Sequence, residues 1–227
     1  MKWAEDELLS IRERAYRYLK DLILEGEYKP GDRLIERELA TKLNISRTPI
    51  REALFRLESQ GFVKTVPRKG VIVTNISEEE VIEVFTILSS LEVLAARLAA
   101  QRMDESTQKE MDAKIAQLEK LEGQDEESFD NEHIEMNMLL YKASKSPKLY
   151  DILTGLTDYI QMSANMGYET PGRRKESLRE HIQMMKALRN KEAEMAEYLT
   201  KIHIENSKKA YINFVEKQKE KKKTIVD

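Results

Sequence analysis

The chain has 227 residues, of which 41% are hydrophobic and 35% are charged, and its net charge is −3 at pH 7. This length and apolar content suffice for two folded domains and exclude the disordered and fibrous classes of protein. The first 25 residues are too charged for a signal peptide, and no apolar run approaches the roughly 18 residues of a membrane helix, so we expect a soluble, cytoplasmic protein. The absence of cysteine excludes disulfides, thiolate metal ligands and cysteine nucleophiles.

Charge is distributed unevenly along the chain. Residues 1–75 hold 15 Lys and Arg against 12 Asp and Glu, whereas the remainder holds 23 against 29. Residues 44–75 are more skewed still, with six basic side chains and two acidic ones. Because local charge governs the attraction of phosphate, the N-terminal third is the candidate nucleic-acid-binding part.

Two short helices are predicted before residue 46. The stretch IRERAYRYLKDLILE, residues 11–25, places its apolar residues on one face and stops at Gly26. YKPGDRL then supplies a Pro-Gly turn, and IERELATKLNI forms the second helix, with Leu39, Ala40 and Leu43 facing a core.

The segment SRTPIREALFRLESQG, residues 46–61, predicts a third helix with a cationic edge. Its buried stripe has the i, i+3, i+4, i+7 spacing and consists of Ile50, Ala53, Leu54 and Leu57. Ser46 suits the N-cap, and Pro49 falls in the first turn, where no backbone N–H is required. Arg47 and Arg51 lie one turn apart beside the helix N-terminus. Taken alone, this edge is typical of an ordinary solvated face, so the surrounding sequence has to decide its role.

The sequence around this helix completes a winged helix. LNIS is a tight connection between helices two and three, which favours a helix-turn-helix with one helix free to enter a DNA groove. After Gly61, the β-branched runs FVKTV and GVIVT flank PRKG, which predicts a two-stranded hairpin with a basic tip.

The run PGDRLIERELATKLNISRTPIREALFRLESQGFVKTVPRKGVIV closely resembles the DNA-binding domain of the GntR family of bacterial transcription regulators. The resemblance covers nearly all of residues 10–74 and implies phosphate or base contacts from Arg37, from Ser46, Arg47, Thr48 and Arg51, and from Arg68, Lys69 and Gly70 at the wing. Physical chemistry agrees with this set, because an arginine can bind guanine bidentately and a helix N-terminus can hold phosphate. Glycine at the wing tip permits a close backbone approach.

The remainder of the chain is almost entirely helical in pattern. A long helix beginning near Ser77 and further helices over about 104–122, 127–144, 147–165, 173–189 and 191–218 predict an all-α antiparallel bundle. The fold class is therefore mainly α, with a winged helix-turn-helix domain over 1–75, an effector-binding and dimerisation bundle over 76–218 and a charged tail over 219–227. The final KQKEKKK is typical of a solvated helix end, with a contribution to DNA affinity as the alternative.

All three histidines of the chain lie in the predicted bundle, each on a different helix: His133, His181 and His203. A single buried histidine is usually a hydrogen-bonded core residue. Three of them in one small bundle raise the question of convergence, and Asn137 stands one turn after His133 on the same face, a spacing that suits two ligands of one ion.

The second half also resembles the FCD effector domain of the FadR subfamily of GntR regulators, through LEVLAARLAA, ASKSPKL, the EH pair in the fifth bundle helix and a histidine 22 residues later. In many members that domain holds a divalent ion through an Asp-x-x-x-His pair and two further histidines. His181 and His203 match the latter two, whereas His133 stands in place of the usual Asp and Asn137 in place of the usual His. Leu88 occupies a position at which relatives often carry an arginine that helps to bind an acidic effector.

The predicted ligand set of three imidazoles and one amide oxygen favours Zn²⁺ or Ni²⁺ over Mg²⁺ or Ca²⁺. Because these ligands are uncharged, the ion would keep its full charge, and an open coordination position would attract the carboxylate of a small metabolite. A metal-free polar pocket is the alternative.

We therefore expect a ligand-responsive transcription regulator, most often a repressor in this family, that binds double-stranded DNA as a homodimer on a pseudo-palindromic operator. Two other readings remain open. One is a regulator that senses the metal itself without an organic effector. The other is a metal-dependent hydrolase, against which stands the lack of a convincing carboxylate base other than the sequence neighbours Glu132 and Glu180.

Overall fold

The computed structural model describes residues 9–122, 132–164 and 170–226. The chain forms two compact units that divide between Ser77 and Glu78. The first unit contains, in order, α1 (Ile11–Leu24), β1 (Arg33–Leu34), α2 (Glu36–Leu43), α3 (Arg47–Ser59), β2 (Val63–Val66) and β3 (Gly70–Val73). The winged-helix prediction is thus confirmed, and the domain bounds given above remain predictions.

The wing is a three-stranded antiparallel sheet rather than the predicted hairpin. The strand order is β1-β3-β2, with Arg33 opposite Ile72 and Val63 opposite Val73. Strand β1 has only two residues, which is too short for an alternating pattern to show in the sequence. It anchors the far edge of β3 through the buried side chain of Leu34.

The predicted apolar stripes form the core of the first unit. All four stripe residues of α3 are buried, as are the three predicted for α2. Asn44 ends α2 in the left-handed conformation, which reverses the chain within two residues before Ser46 caps α3. Ser46 occupies the predicted N-cap position, although its side chain makes no capping hydrogen bond. Pro49 lies in the first turn of α3, as predicted.

The second unit contains the helices α4 (Glu78–Gln101), α5 (Glu105–Leu121), α6 (Glu132–Ala143), α7 (Pro147–Ala164), α8 (Arg173–Arg189) and α9 (Ala193–Val226). Helix α4 packs antiparallel to α9, with Arg97 Nε 2.6 Å from Glu197 Oε1 and Lys208 Nζ 3.1 Å from Thr86 Oγ1. Small alanines on α4 belong to the buried core of this bundle and allow close helix approach.

Helix α9 continues to Val226, eight residues beyond the predicted end at 218. Lysine and glutamate are good helix formers, so a charged composition does not end a helix. The predicted start of α6 at 127 lies outside the described residues. Within the described ranges, no helix is both long enough and apolar enough to cross a membrane.

Candidate functional site

The N-terminal end of α3 presents the predicted DNA-contacting side chains to solvent. Ser46, Arg47, Thr48 and Arg51 are all exposed. The side chains of the two arginines are 60% and 65% exposed. The buried stripe fixes the opposite face of the helix, so this cationic edge is held outward by the core beneath it.

Glu36, the first residue of α2, binds both arginines. Arg51 donates from Nε to Glu36 Oε1 at 3.1 Å and from its terminal nitrogen to Oε2 at 3.0 Å. A terminal nitrogen of Arg47 lies 3.4 Å from Oε2. These bonds, led by the one from Arg51, lower the pKa of the Glu36 carboxyl. Glu36 therefore aligns the two guanidinium groups before DNA is bound.

Sequence reasoning did not single out Glu36. An acidic residue in the first turn of a helix is common because it complements the helix dipole. Its position alone therefore does not indicate that it also binds arginines of the next helix. The sequence signal for Glu36 was its place in the run ERELA at the start of the second helix.

The wing carries a second basic surface. Arg68 and Lys69 are exposed, and Arg68 adopts a left-handed backbone with φ of 67°. Gly70 has φ of 84°, and a Cβ at this position would lie 3.3 Å from Arg33 Nε. Arg33, on the short strand β1, thus lies against the wing turn, a contact that was not predicted because β1 itself was not predicted.

The wing is tied to α3 by a carboxylate. Glu58, near the end of α3, accepts hydrogen bonds from the backbone N–H and the hydroxyl of Thr65 on β2, at 2.6 Å and 3.0 Å. The helix that presents Arg51 is therefore joined directly to the strand that leads to the wing. Arg37, the predicted contact on α2, is also exposed.

In the bundle, the structure brings His181 of α8 and His203 of α9 together. Their ring centroids are 4.1 Å apart with the planes at 63°, and the residues are only 2% and 4% exposed. Burial lowers the pKa of both rings, that of His181 strongly, while Glu180 partly opposes the shift for His203. Both imidazoles are consequently neutral at pH 7, which is the form that ligates metals.

Each histidine has its Nδ1 atom occupied. His181 Nδ1 lies 2.8 Å from the backbone carbonyl oxygen of Ser177, and His203 Nδ1 lies 2.7 Å from Glu180 Oε2. Both partners are acceptors, which assigns the proton to Nδ1 and leaves Nε2 with its lone pair. His181 Nε2 is 3.3 Å from Asn137 Oδ1 of α6.

Glu180 is the centre of this network. It binds Arg173 through two hydrogen bonds of 3.0 Å and 2.9 Å and accepts a third from Asn206 at 2.8 Å. Burial alone would raise the pKa of Glu180, but the bonds from His203 and Arg173 outweigh burial and hold the pKa at about 2. Glu180 is thus ionised and engaged, which argues against a role as a catalytic base.

The other carboxylate considered as a base is also engaged, because Glu132 Oε2 lies 2.6 Å from Lys114 Nζ. His133 is half-buried on α6, one turn before Asn137, and its charge contributes to lowering the pKa of His181. Within the described ranges, no three histidine, cysteine or carboxylate side chains gather as a metal-binding group. The four-residue ligand set therefore stays a prediction, of which the structure brings Asn137, His181 and His203 together.

A second buried polar group lies on α4. Glu92 is 1% exposed, accepts a short hydrogen bond from the Tyr141 hydroxyl through Oε1, and has no partner for Oε2 among the described residues. The Tyr141 hydroxyl also lies 2.8 Å from Thr157 Oγ1. Burial raises the pKa of Glu92 to about 7. Leu88, one turn earlier on the same helix, is buried too.

Comparison with known proteins agrees with this architecture. Residues 11–73 match the gntR family of bacterial regulatory proteins, and residues 83–206 match the FCD domain. The HTH-type transcriptional regulator YdhC of Bacillus subtilis, itself uncharacterized, is 30% identical over 90% of this chain and 92% of its own. The HTH-type transcriptional regulator McbR of Escherichia coli is 29% identical over 78% of this chain and 81% of its own.

Solved structures show the same fold. That of E. coli McbR/YncC superposes with a TM-score of 0.75 at 24% identity, covering 91% of this chain and 99% of that one. A GntR regulator from Rhodococcus gives a TM-score of 0.70 at 20% identity, covering 90% and 99%.

The FCD match alone spans more than half of the chain, and the matched families and relatives are transcription regulators rather than enzymes. The metallohydrolase reading is thereby set aside. The chain belongs to the gntR family of bacterial regulatory proteins and is a DNA-binding transcription regulator with a C-terminal FCD domain.

Proposed function

We propose that this protein is a cytoplasmic, effector-responsive repressor whose bundle binds a small carboxylate with the help of a divalent ion. The observation that carries the proposal is the buried pair His181 and His203, whose Nδ1 atoms both face acceptors, so that the lone pair of each imidazole is on Nε2. Acceptors that bind the second ring nitrogen in this way orient metal-ligating histidines in known sites.

The residues present fit an ion chemically. With Nδ1 of His181 protonated, its Nε2 is an acceptor, yet it faces the acceptor Oδ1 of Asn137 at 3.3 Å. Two acceptors at this distance need either a turned amide or a cation between them. Ligand atoms about 2.1 Å from a common ion are themselves about 3.0–3.4 Å apart in octahedral or tetrahedral geometry, which matches the observed separation. Imidazole-rich ligation favours Zn²⁺ or Ni²⁺, and His133 is the further candidate ligand on α6.

The effector class follows from the charges around the histidines. Arg173 is buried, but both of its terminal nitrogens are bound to Glu180, and Leu88 supplies no charge. A carboxylate effector would therefore depend on the charge of the ion, which the uncharged ligands leave uncompensated.

We propose further that the protein acts as a homodimer that reads a pseudo-palindrome with two copies of α3. Large apolar side chains are exposed on the paired helices α4 and α9: Ile87, Leu94, Met195 and Tyr198. A second copy of the chain would cover them. Repression is supported by a relative, the HTH-type transcriptional repressor RspR of E. coli, which is 24% identical over 86% of this chain.

Metal analysis of the purified full chain, together with operator binding, tests the proposal. We expect bound Zn²⁺ or Ni²⁺ in the unaltered protein, loss of it in His181→Ala and His203→Ala, and retention in the surface control Lys109→Ala on α5. We also expect carboxylates to release the metal-loaded protein from DNA. Equal metal binding by all four proteins would refute the proposed metal site. Release of the protein from DNA by the ion alone would favour the metal-sensing alternative.

A further inference from the structure

The C-terminal end of α9 carries a strongly basic segment, residues 217–223, which we call the lysine segment. Its sequence KQKEKKK holds five lysines and one glutamate. All other residues after 75 together hold 18 basic and 28 acidic side chains. The lysine segment is therefore an isolated positive stretch in an otherwise acidic half of the sequence, and the DNA-binding residues described above do not include it.

The position of the lysine segment follows from the pairing of α4 with α9. Arg97 contacts Glu197 near one end of the pair, and Lys219 contacts Glu78, the first residue of α4, at the other. Helix α9 continues for seven residues past Lys219, which is about 10 Å at 1.5 Å per residue. Only four residues, 74–77, separate β3 from α4. The lysine segment thus lies at the end of the α4–α9 pair at which α4 begins.

Helix stability does not account for Lys217 and Lys221. Lys217, Lys219 and Lys221 are all exposed. Lys217 and Lys221 stand four residues apart, a spacing at which like charges weaken a helix. The helix dipole favours cations only in the last turn of a helix. Lys217 lies nine residues before the end of α9, so the dipole does not stabilise it.

We propose that the lysine segment is a second DNA contact, which binds the phosphodiester backbone flanking the sequence that α3 and the wing read. The inference rests on the DNA-binding function proposed for the first unit. Lysine suits this role because its ammonium group is a mobile point charge that needs no fixed geometry and reads no base. The segment adds affinity and salt dependence without adding sequence preference.

The size of the effect follows from counterion release. Each phosphate neutralised contributes about 0.9 to the slope of log affinity against log salt concentration, which corresponds to about five-fold in affinity near 0.15 M salt. Two to four contacts by the lysine segment would thus change the slope by about 2–4 and the affinity by about 30-fold or more.

The experiment measures binding of the full chain to a 30-base-pair duplex of arbitrary sequence by fluorescence anisotropy, between 50 and 200 mM salt. In the test variant all five segment lysines are replaced by glutamine, and in a second variant by arginine, which keeps the charge. A matched control replaces five exposed lysines elsewhere on the bundle by glutamine: Lys109, Lys120, Lys148, Lys175 and Lys201. A wing variant, Arg68→Gln with Lys69→Gln, reports on the first unit.

We expect the glutamine variant of the lysine segment to lose the predicted slope and affinity, and the arginine variant and the matched control to keep them. An unchanged slope in the glutamine variant of the lysine segment would overturn the inference. If the wing variant lost DNA affinity in the same experiment, the DNA-binding function of the first unit would still be supported. An equal loss in the matched control would assign the effect to overall charge and overturn the inference as well. If the unaltered chain showed no salt-sensitive binding, the proposed function itself would fail.

Discussion

Replacing Glu92 by glutamine should remove a specific pH dependence of bundle stability. Glu92 is buried on α4, shares a hydrogen bond with Tyr141 through one oxygen, and has no partner for the other among the described residues. Its pKa is raised by burial from 4.5 to about 7. The folded protein therefore holds a proton on Glu92 at pH values where the unfolded chain has already released it.

The direction and size of the effect follow by linkage. Glu92 has a higher pKa in the folded protein than in the unfolded chain. Such a carboxyl contributes its full stabilisation at pH values below the unfolded pKa, and this contribution is lost as the pH rises through the folded pKa. For Glu92 the window runs from about pH 4.5 to pH 7. The loss is about 1.4 kcal/mol per pH unit within it, or about 2.5 kcal/mol between pH 5 and pH 8.

Glutamine has nearly the same shape and stays neutral, so Glu92→Gln should escape this loss. The free energy of unfolding of the bundle, measured by chemical denaturation at several pH values, should become larger in the variant relative to the unaltered protein as the pH rises. Other titrating groups are common to both proteins and cancel in the difference. Parallel pH profiles for the two proteins would refute the reasoning, because they would mean that Glu92 is ionised in the fold.

The remaining predictions concern the first unit. Arg51→Ala should weaken operator binding by about 1–3 kcal/mol if the contact to a base is bidentate, and unchanged affinity in titrations would contradict this role. Leu57→Ala removes a fully buried side chain of α3 and should cost about 2–5 kcal/mol of unfolding free energy, whereas Phe55→Ala, at a residue 73% exposed, should stay within about 0.5 kcal/mol. Gly70→Ala should strain the backbone at φ of 84° by about 1–2 kcal/mol and should also lower DNA affinity. Gly31→Ala introduces similar strain but has open space around it, so it should lower thermal stability alone.

Local features of the sequence predicted most of the fold. The stripe of α3 and the position of Pro49 were correct because they depend on spacing within a few turns of one helix. The end of α9 was placed at 218, eight residues too early, although the tail was interpreted as a helix end, and β1 was missed because two residues carry no periodicity.

The sequence by itself determined the class of protein, two helical units, the cationic face of α3 and the identity of the bundle histidines, since each of these depends on neighbouring residues along the chain. Only the tertiary structure decided that Glu36 binds Arg51, and that His181 and His203 meet with their Nδ1 atoms occupied. Except for the bond of His181 Nδ1 to the Ser177 carbonyl within α8, these contacts join different helices, and their geometry depends on how the helices pack. The physical reason is that periodicity fixes which face of a helix is buried, whereas long-range packing fixes what that face meets.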